Sequence, residues 1–527
     1  MLHFQTQAVK LRQNVVPEVD GLRSFDFQAA IEELLMDDTT RAIFASAETG
    51  AGKTRAFALP ALKHGVNLII VAPTNALIHD IQRNVDKLRA QIGAPHEVHV
   101  VTRYALYALK GQMPPNRRPS QGQALLSLLH GEEATSQIPK ILITNPDSLA
   151  IALQALYFNS PKILGSVLNL YPWIVFDEFH AYAPKQIPSI LFLHALIDMI
   201  DNSTLRSDRK TVFSSATPNG RFRAVLQRLL ALPDSALVEV KAETDTKGFQ
   251  VLQPTAFTFV PRESDWDTSA LRRYVEANLP LIHQHLASSV SGSRRVCIIA
   301  NSVFEASEIT DLLERSGFKR GRDIEEIRGF LAPRQRGHGT LPIVVGTSAI
   351  EMGVNFPISL LLTEGSEGPA LIQRLGRLGR SNNFELAVAH AIVPQAVYEE
   401  LRDLSGRELS RIEFRERVLR AYPQFEDFWS YVQQFGLYEN RFYIQRMEEM
   451  NTRHRSAKTS KQAPRQREYL EAVLLPKLAK GYGVTDWQMH LQHLDDEINK
   501  KGHWAQVALE RVLSSPRGET IPVTCAI

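Results

Sequence analysis

Short apolar runs that end in polar residues recur through the first half of the chain. Residues 66–72 (VNLIIVA), 141–144 (ILIT) and 173–176 (WIVF) are apolar at nearly every position and do not alternate with polar residues. Unbroken runs of this length are typical of parallel strands that are buried on both faces. Helical stretches at 29–36 and 55–63 accompany these runs. The pattern therefore predicts an α/β fold with a doubly wound parallel sheet.

A second α/β pattern follows a stretch without clear periodicity, residues 236–254. Strand-like runs at 255–260 and 295–299 flank a long helical stretch at 267–287. From Val393 onward the pattern is helical and carries no chemical motif. The sequence therefore predicts two α/β domains that are joined by a linker and followed by a mostly helical region.

The composition changes this prediction little, but it excludes some classes of protein. With 44% hydrophobic and 22% charged residues among 527, the chain is globular, and its net charge of +3 requires any polyanion to be held by local basic patches. Two cysteines, Cys297 and Cys525, cannot form a disulfide framework, which favours a reducing cytoplasm. His194 and Asp198 interrupt the longest apolar stretch, 190–200, so we expect no membrane span.

A glycine-rich loop, residues 47–54 (AETGAGKT), lies between a strand-like run and a helical stretch. This order is the context of a phosphate-binding loop, in which backbone N–H groups converge on phosphates at a helix N-terminus. Lys53 would then reach the β- and γ-phosphates of ATP, and the Thr54 hydroxyl would ligate Mg²⁺. The residues that would surround the phosphates are Thr49, Gly50, Ala51 and Gly52. The alternative is a glycine turn with an adventitious lysine.

An acidic pair, Asp177 and Glu178, follows the apolar run at 173–176. An aspartate at the end of a strand can hold the Mg²⁺ that bridges two phosphates, and an adjacent carboxylate can activate the attacking water. His180 can link these groups to their neighbours. The alternative is an ordinary acidic loop, but the phosphate loop upstream favours the catalytic interpretation.

Two further polar features fit an ATP site. Gln28 lies shortly before the phosphate loop, and its amide can offer a donor and an acceptor to the edge of adenine; the alternative is a solvated residue at a helix start. Residues 373–380 (QRLGRLGR) carry three arginines at i, i+3 and i+6, which on a helix share one face. Arg377 and Arg380 are therefore candidate arginine fingers, and the alternative is a solvated basic helix start.

In order, the polar clusters resemble the motifs of superfamily-two helicases of the DExH type, across residues 25–380. The matching stretches are AETGAGKT (motif I), PTNAL (Ia), TNPDSL (Ib), DEFH (II), SAT at 215–217 (III), IIANS at 298–302 (IV), GTSAIEMGVN at 346–355 (V) and QRLGRLGR (VI). The resemblance implies two tandem RecA-like domains that hydrolyse ATP with Mg²⁺. It also places Gly353 and Asn355 at the nucleotide, with Asn355 where the family usually has aspartate.

The resemblance assigns single-strand contacts to motifs Ia, Ib, IV and V. The hydroxyl and amide side chains that we expect to bond phosphates there are Thr74, Asn75, Thr144, Asn301 and Thr347. Coupling between the nucleotide and the strand is implied for His180, Ser215, Thr217 and Gln373.

Within the superfamily, the wording of motifs V and VI is most similar to the CRISPR-associated interference helicase, particularly the type I-D form without a fused HD nuclease. Only about 24 residues precede the first motif, so we expect no such nuclease before it. The resemblance thus implies a helicase that unwinds DNA for a nuclease on a partner, with single-stranded DNA and a CRISPR effector complex as partners. Alternatives are a general DNA-repair or RNA helicase, and a nucleic-acid-stimulated ATPase that remodels a protein complex.

The predicted organisation has five parts. They are an N-terminal extension (1–20), a RecA-like ATP-binding domain (21–235), a linker (236–254), a second RecA-like domain (255–395) and a helical accessory domain (396–527). In the last part, residues 451–467 hold six Lys or Arg and no acidic residue, so they predict either a phosphate-binding segment or a solvated linker. His490, His493 and Asp496 have helical spacing and predict an exposed face, not a metal site.

Overall fold

The computed structural model describes most of the chain in separate ranges. These are residues 1–12, 24–48, 50–112, 120–130, 138–153, 160–204, 208–215, 220–245, 247–264, 267–287, 295–327, 341–347, 350, 358–380, 385–422, 428–453 and 463–501.

The strands in chain order are β1 (Leu2–Thr6), β2 (Val9–Leu11), β3 (Ala42–Ser46), β4 (Leu68–Val71), β5 (Glu97–Val101), β6 (Lys140–Thr144), β7 (Trp173–Phe176), β8 (Lys210–Ser215), β9 (Leu237–Lys241), β10 (Phe249–Leu252), β11 (Thr255–Pro261), β12 (Val296–Ile299), β13 (Ile324–Ile327), β14 (Ile343–Gly346), β15 (Leu360–Glu364), β16 (Ala387–Val393) and β17 (Glu408–Leu409).

The α-helices in chain order are α1 (Asp26–Met36), α2 (Lys53–His64), α3 (Asn75–Ile92), α4 (Arg103–Gln112), α5 (Gln121–His130), α6 (Pro146–Leu153), α7 (Ser160–Leu170), α8 (Gln186–Thr204), α9 (Gly220–Leu230), α10 (Ala270–Ala277), α11 (Leu279–Ala287), α12 (Val303–Arg315), α13 (Gly368–Leu375), α14 (Gln395–Glu400), α15 (Arg411–Ala421), α16 (Phe428–Arg453), α17 (Ala463–Tyr482) and α18 (Trp487–Lys500).

Backbone contacts divide the chain into two compact units. The seven-stranded unit comprises Phe27–Ala47, Thr54–Lys241 and Glu426–Ile527. The eight-stranded unit comprises Met1–Asp26, Glu48–Lys53 and Ala242–Phe425. Both units therefore combine segments that are distant in sequence.

The seven-stranded sheet has the order β5-β6-β4-β7-β8-β3-β9, and every neighbouring pair is parallel. Its central strands β4 and β7 are buried at every position, as their unbroken apolar runs predict. Because all the strands run in one direction, their carboxyl ends lie along one edge of the sheet, where open α/β sheets build their sites.

Helices from the end of the chain complete the core of the seven-stranded unit. The Lys477 ammonium forms an ion pair with Asp198 of α8, and Arg228 of α9 donates to the Gly481 carbonyl at 3.0 Å. A Cβ at Gly481 would come within 3.1 Å of Leu229, so glycine permits the close approach of α17 to α9. Tyr443 of α16 is wholly buried. The C-terminal helices α16 and α17 are thus an integral part of this unit.

The eight-stranded sheet has the order β13-β14-β12-β15-β16-β11-β1-β17. All of its pairs are parallel except β1 with β11, which is antiparallel. Strand β1 alternates between buried and exposed residues, and its Phe4 ring stacks on Phe257 with the centroids 5.1 Å apart. The N-terminal stretch, which carries no chemical motif, is therefore part of the second sheet.

The predicted α/β class is confirmed, and the stretch 236–254 is more ordered than a linker. Strand β9 lies beside β3 at the edge of the seven-stranded sheet, and β10 pairs with β2 in a separate antiparallel ribbon. Residues 396–527 are shared between the units, because Phe414 of α15 stacks on Phe257 whereas Tyr443 of α16 packs against Phe192. The five predicted boundaries stay a prediction.

No helix in the described ranges has the length and apolarity needed to cross a membrane.

Candidate nucleotide and nucleic-acid sites

The phosphate loop has the strand, glycine turn and helix that its sequence predicts. Strand β3 ends at Ser46, helix α2 begins at Lys53, and the Ala51 N–H donates to the Glu48 carbonyl at 3.1 Å. Gly50 and Gly52 have φ angles of +92° and +81°, a region that side-chain-bearing residues rarely enter. Lys53 is buried. The backbone thus has the shape that a phosphate site requires, and the ligand roles of Lys53 and Thr54 stay predictions.

The acidic pair lies directly after β7 in the seven-stranded unit. Asp177 is buried, and its N–H donates to the Val71 carbonyl at 2.8 Å. Glu178 adopts the left-handed conformation (φ 47°, ψ 46°), which costs roughly 1–3 kcal/mol for a residue other than glycine. Burial, together with the charges of Asp177 and Glu178, raises the pKa of the Tyr182 hydroxyl well above its usual value. The fold therefore holds the two carboxylates in a fixed and locally strained turn.

Ser215 connects three motifs within the seven-stranded unit. Its hydroxyl lies 2.9 Å from His180 Nδ1, and the same ring nitrogen lies 3.5 Å from Glu178 Oε2. Its backbone carbonyl accepts the N–H of Ala47, the first residue of the phosphate loop, at 3.3 Å. The structure thus brings together the start of motif I, the acidic motif II and the first residue of motif III.

Motifs Ia and Ib also meet at the carboxyl edge of this sheet. The Asn145 amide donates to Asn75 Oδ1 at 3.0 Å, and the Thr74 hydroxyl accepts the Leu77 N–H at 3.4 Å as the cap of α3. Thr144 is buried, and its hydroxyl donates to the Val101 carbonyl at 2.7 Å. The hydroxyl hydrogen of Thr144 is thus already bonded to a carbonyl within the sheet. The contact of Thr144 with a phosphate stays a prediction. Asn145, which the sequence reasoning missed, links the two motifs.

Motif IV is tied to motif VI within the eight-stranded unit. Asn301 donates from its amide to the Ser366 hydroxyl at 2.7 Å and accepts from Arg374 Nη1 at 3.0 Å. Its backbone N–H lies 3.3 Å from Glu364 Oε2, and the other oxygen of Glu364 accepts from Arg262 at 3.1 Å. This cluster holds Asn301 at the carboxyl end of β12. Arg374, which the sequence reasoning did not single out, is a central member of it.

A second buried carboxylate lies next to this cluster. Burial, reinforced by the charge of Glu364, raises the pKa of Glu305 to about 8. Thr347, the predicted motif V contact, is also buried, and its carbonyl accepts the Ile350 N–H at 2.8 Å. Neither observation assigns a ligand, and the phosphate contacts of Asn301 and Thr347 stay predictions.

The three arginines of motif VI do not share one helical face, so that prediction is wrong. Helix α13 ends at Leu375, and Gly379 takes a φ of +76° while its carbonyl accepts the Gln253 N–H at 2.7 Å. Arg374 lies on the helix, whereas Arg377 and Arg380 follow it on a glycine-broken turn. Within the eight-stranded unit, to which residues 48–53 belong, a Cβ at Gly50 would lie 3.6 Å from Arg380 Cδ.

Two further predicted site residues, Gln28 and Gln373, lie on helices. Gln28 lies in the first turn of α1 and is buried, so the alternative of a solvated residue does not hold. Gln373 is half-buried on α13. Four predicted site residues lie outside the described ranges, namely Thr49, Thr217, Gly353 and Asn355.

The two sheets and their helices have the architecture of tandem RecA-like domains. Residues 26–225 match the family model for the DEAD/DEAH box helicase, and residues 292–383 match the model for the C-terminal part of the CRISPR-associated nuclease/helicase Cas3. The first α/β part of the chain is therefore similar to DEAD/DEAH box helicases, and part of the second is similar to the C-terminal part of Cas3.

Two curated relatives extend over most of this chain. The ATP-dependent helicase Lhr-Core protein 2 of Thermococcus barophilus is 25% identical over 419 residues, which cover 72% of this chain and 44% of the relative. The CRISPR-associated nuclease/helicase Cas3 of Methanothermobacter thermautotrophicus is 25% identical over 360 residues, which cover 64% of this chain and 38% of the relative. The chain thus spans less than half the length of these relatives.

Solved structures agree on the fold. The DUF1998 helicase MrfA bound to DNA and AMPPNP has a TM-score of 0.57 at 17% identity, over 84% of this chain and 59% of that chain. The DEAD-box helicase Mss116 bound to ssRNA and UDP-BeF has a TM-score of 0.50 at 18% identity, over 88% of this chain and 87% of that chain. At this identity the likeness concerns the fold alone.

Proposed function

We propose that this chain is an ATP-driven translocase and helicase on single-stranded DNA. The arrangement around Ser215 carries the proposal, because this residue contacts both the start of the phosphate loop and the histidine of the acidic motif. A motor needs such a link, since hydrolysis at the nucleotide must change the grip on the strand.

In this mechanism each residue of the ATP site has a distinct role. Lys53 and the loop N–H groups bind the phosphates, and Glu178 accepts the proton of the attacking water. Thr54 and Asp177 offer the hydroxyl and carboxylate oxygens that Mg²⁺ prefers, and the ion neutralises phosphate charge when bound. Arg377 and Arg380 stabilise the charge on the transferred phosphoryl group. Gln28 selects adenine.

The finer proposal is that the chain serves CRISPR interference in the cytoplasm. The Cas3-like match over residues 292–383 and the 25% identical Cas3 relative support this assignment. In this role the motor moves along the displaced strand and supplies it to a nuclease on a partner, as part of an effector complex of type I, most similar to type I-D. Thr74, Asn75, Asn301 and Thr347 hold the strand by its phosphates, a mode that does not read bases.

Two other functions fit the same motor. The Lhr-Core relative is an ATP-dependent helicase, which is compatible with a general helicase outside CRISPR interference, such as a DNA-repair helicase, and the fold shared with an RNA-bound DEAD-box helicase is compatible with RNA as the substrate. An ATPase that remodels a complex without unwinding would use the same nucleotide site.

Strand displacement on matched DNA and RNA duplexes with single-stranded tails separates these functions. The proposal expects ATP-dependent displacement of DNA and ATPase activity that is stimulated by single-stranded DNA. Glu178→Gln is the control, because its amide cannot accept the proton and the variant should bind ATP without hydrolysing it. Displacement of RNA alone would favour the RNA helicase, and stimulated ATPase without displacement would favour the remodelling enzyme.

A further inference from the structure

Two tyrosines on helix α4 are turned away from the core of the seven-stranded unit. Tyr104 is 72% exposed and Tyr107 is 68% exposed, whereas Leu106 between them is wholly buried. Residues three apart on a helix are neighbours on its surface, about 5–6 Å apart at their Cβ atoms. The helix therefore packs its apolar side into the unit and presents two adjacent aromatic rings on the outside.

This helix begins at the edge of the sheet where motifs Ia and Ib meet. Strand β5 pairs with β6 in a register that sets Val101 opposite Thr144, and the Thr144 hydroxyl donates to the Val101 carbonyl at 2.7 Å. The next residue, Thr102, accepts the Ala105 N–H at 3.2 Å and so caps the start of α4. Beside Thr144, the Asn145 amide bonds Asn75 at 3.0 Å. Helix α4, which carries the two tyrosines, thus begins beside Thr144 at the same edge of the sheet as these predicted phosphate contacts.

The charge around the two rings favours a polyanion. Arg103, the first residue of α4, is exposed. It lies directly before Tyr104 and one helical turn before Tyr107. The N-terminal end of a helix also carries a partial positive charge. Aromatic rings beside such charge stack on bases that are not already stacked in a duplex, so the matching polyanion is a single strand.

We propose that Tyr104 and Tyr107 form a base-stacking platform for single-stranded DNA, with Arg103 on a neighbouring phosphate. The inference rests on the proposed function and adds to it a contact with the bases. Stacking is tolerant of sequence, because every base has a π-face. The platform therefore increases the grip on the strand without selecting a sequence, as a translocase requires.

The test measures binding of fluorescein-labelled oligo(dT) by anisotropy, without nucleotide, for the full chain and its variants. Tyr104→Ala combined with Tyr107→Ala should weaken binding by about tenfold or more, whereas the corresponding double Phe variant should bind like the wild type, because it keeps both rings. Tyr469→Ala is the matched control, since Tyr469 is 59% exposed on α17 of the same unit and should have no effect. All three changes are at exposed positions, so thermal melting should be unchanged.

An abasic strand of equal length distinguishes stacking from charge. The wild type should bind it about as weakly as the double Ala variant binds oligo(dT), and the double Ala variant should not distinguish the two strands. Arg103→Ala should keep the preference for the strand with bases but lower the salt dependence of binding, by about 0.7 in the log–log slope for one lost phosphate contact.

Two results would contradict the platform proposal. They differ in whether they also contradict the proposed function. If the double Ala variant bound oligo(dT) like the wild type, or lost affinity equally for both strands, the platform would be wrong and the helicase proposal would stand. If the wild type bound no single strand at all, the proposed function would fail and the platform with it.

Discussion

His180 Nδ1 and the Ser215 hydroxyl lie 2.9 Å apart, which joins the acidic motif to the end of the neighbouring strand β8. The two residues are 35 positions apart in sequence, but they lie close together because strands β7 and β8 are neighbours in the sheet. Since Glu178 Oε2 lies 3.5 Å from the same nitrogen, we expect a change in charge at this proposed catalytic carboxylate to alter the bond between His180 and Ser215.

We expect His180→Ala and Ser215→Ala each to uncouple ATP hydrolysis from strand movement. Both variants should bind ATP, while strand displacement and stimulation of the ATPase by single-stranded DNA fall sharply. Because the two side chains act through one bond, the double variant should be little worse than either single variant. His64→Ala, at an exposed position on α2, is the control. Fully additive losses would show that the two residues act independently.

Lys53→Ala should nearly abolish ATP hydrolysis, because it removes the charge that we propose faces the β- and γ-phosphates. The matched control is Lys63→Ala, which removes an exposed lysine from the same helix and breaks only its ion pair with Glu32. Steady-state phosphate release and a melting curve are sufficient to compare the two. Turnover by Lys53→Ala at the wild-type rate would contradict the assignment of the phosphate site.

The arginines of motif VI should separate into two groups. Arg377→Ala and Arg380→Ala should lower turnover by about 10³- to 10⁵-fold, as loss of an arginine finger does. Arg374→Ala should instead lower the melting temperature, because it removes the guanidinium that donates to Asn301 Oδ1, the Thr363 hydroxyl and the Glu364 carbonyl, at a cost of about 1–3 kcal/mol. Arg402→Ala, whose side chain is 70% exposed, is the control for both assays. Equal behaviour of the three variants would contradict the division.

The sequence predicts the strands and motifs that depend on local pattern, and it misses what depends on distant contacts. The runs of β4 and β7 are apolar throughout, so their burial can be predicted. Strand β1 is short and alternating, and it becomes a strand because it pairs with β11, about 250 residues away. The sequence QRLGRLGR does not distinguish Arg374 from Arg377 and Arg380. The structure does, because α13 ends at Leu375 and only Arg374 lies on the helix, before the glycine-broken turn.

We expect this chain alone not to cut nucleic acid. An HD-type nuclease needs His and Asp side chains around one or two metal ions. Over the part of the chain that the structure describes, no group of three or more His, Cys, Asp or Glu side chains has an arrangement that could hold a metal. Circular single-stranded DNA should stay intact with ATP and Mg²⁺, Mn²⁺ or Ni²⁺. Nicking that survives further purification and is lost in His490→Ala or His493→Ala would contradict this prediction.

A buried carboxylate in the C-terminal helices should make the stability of the chain depend on pH. Glu439 of α16 is wholly buried, and it accepts hydrogen bonds from Tyr443 and, at 3.2 Å, from Tyr431. Burial raises its pKa from an ordinary 4.5 to about 7, although the Lys185 ammonium and the two hydroxyls oppose the shift. Lys185 directly precedes α8, and burial lowers its pKa. Such polar residues read as surface positions in the sequence, because their partners lie far along the chain.

The sign of the effect follows from the proton that Glu439 holds in the folded chain. Between about pH 4.5 and 7 the folded state keeps this proton while the unfolded state has lost it, so the free energy of unfolding falls as pH rises through that window. Glu439→Gln removes the titrating group, so this variant should gain melting temperature over the wild type at pH 8 and gain little at pH 5. Glu449→Gln, at an exposed position of the same helix, should follow the wild type at both pH values. Parallel melting curves for the wild type and Glu439→Gln from pH 5 to 8 would show that Glu439 ionises normally, and that its burial does not set the pH dependence.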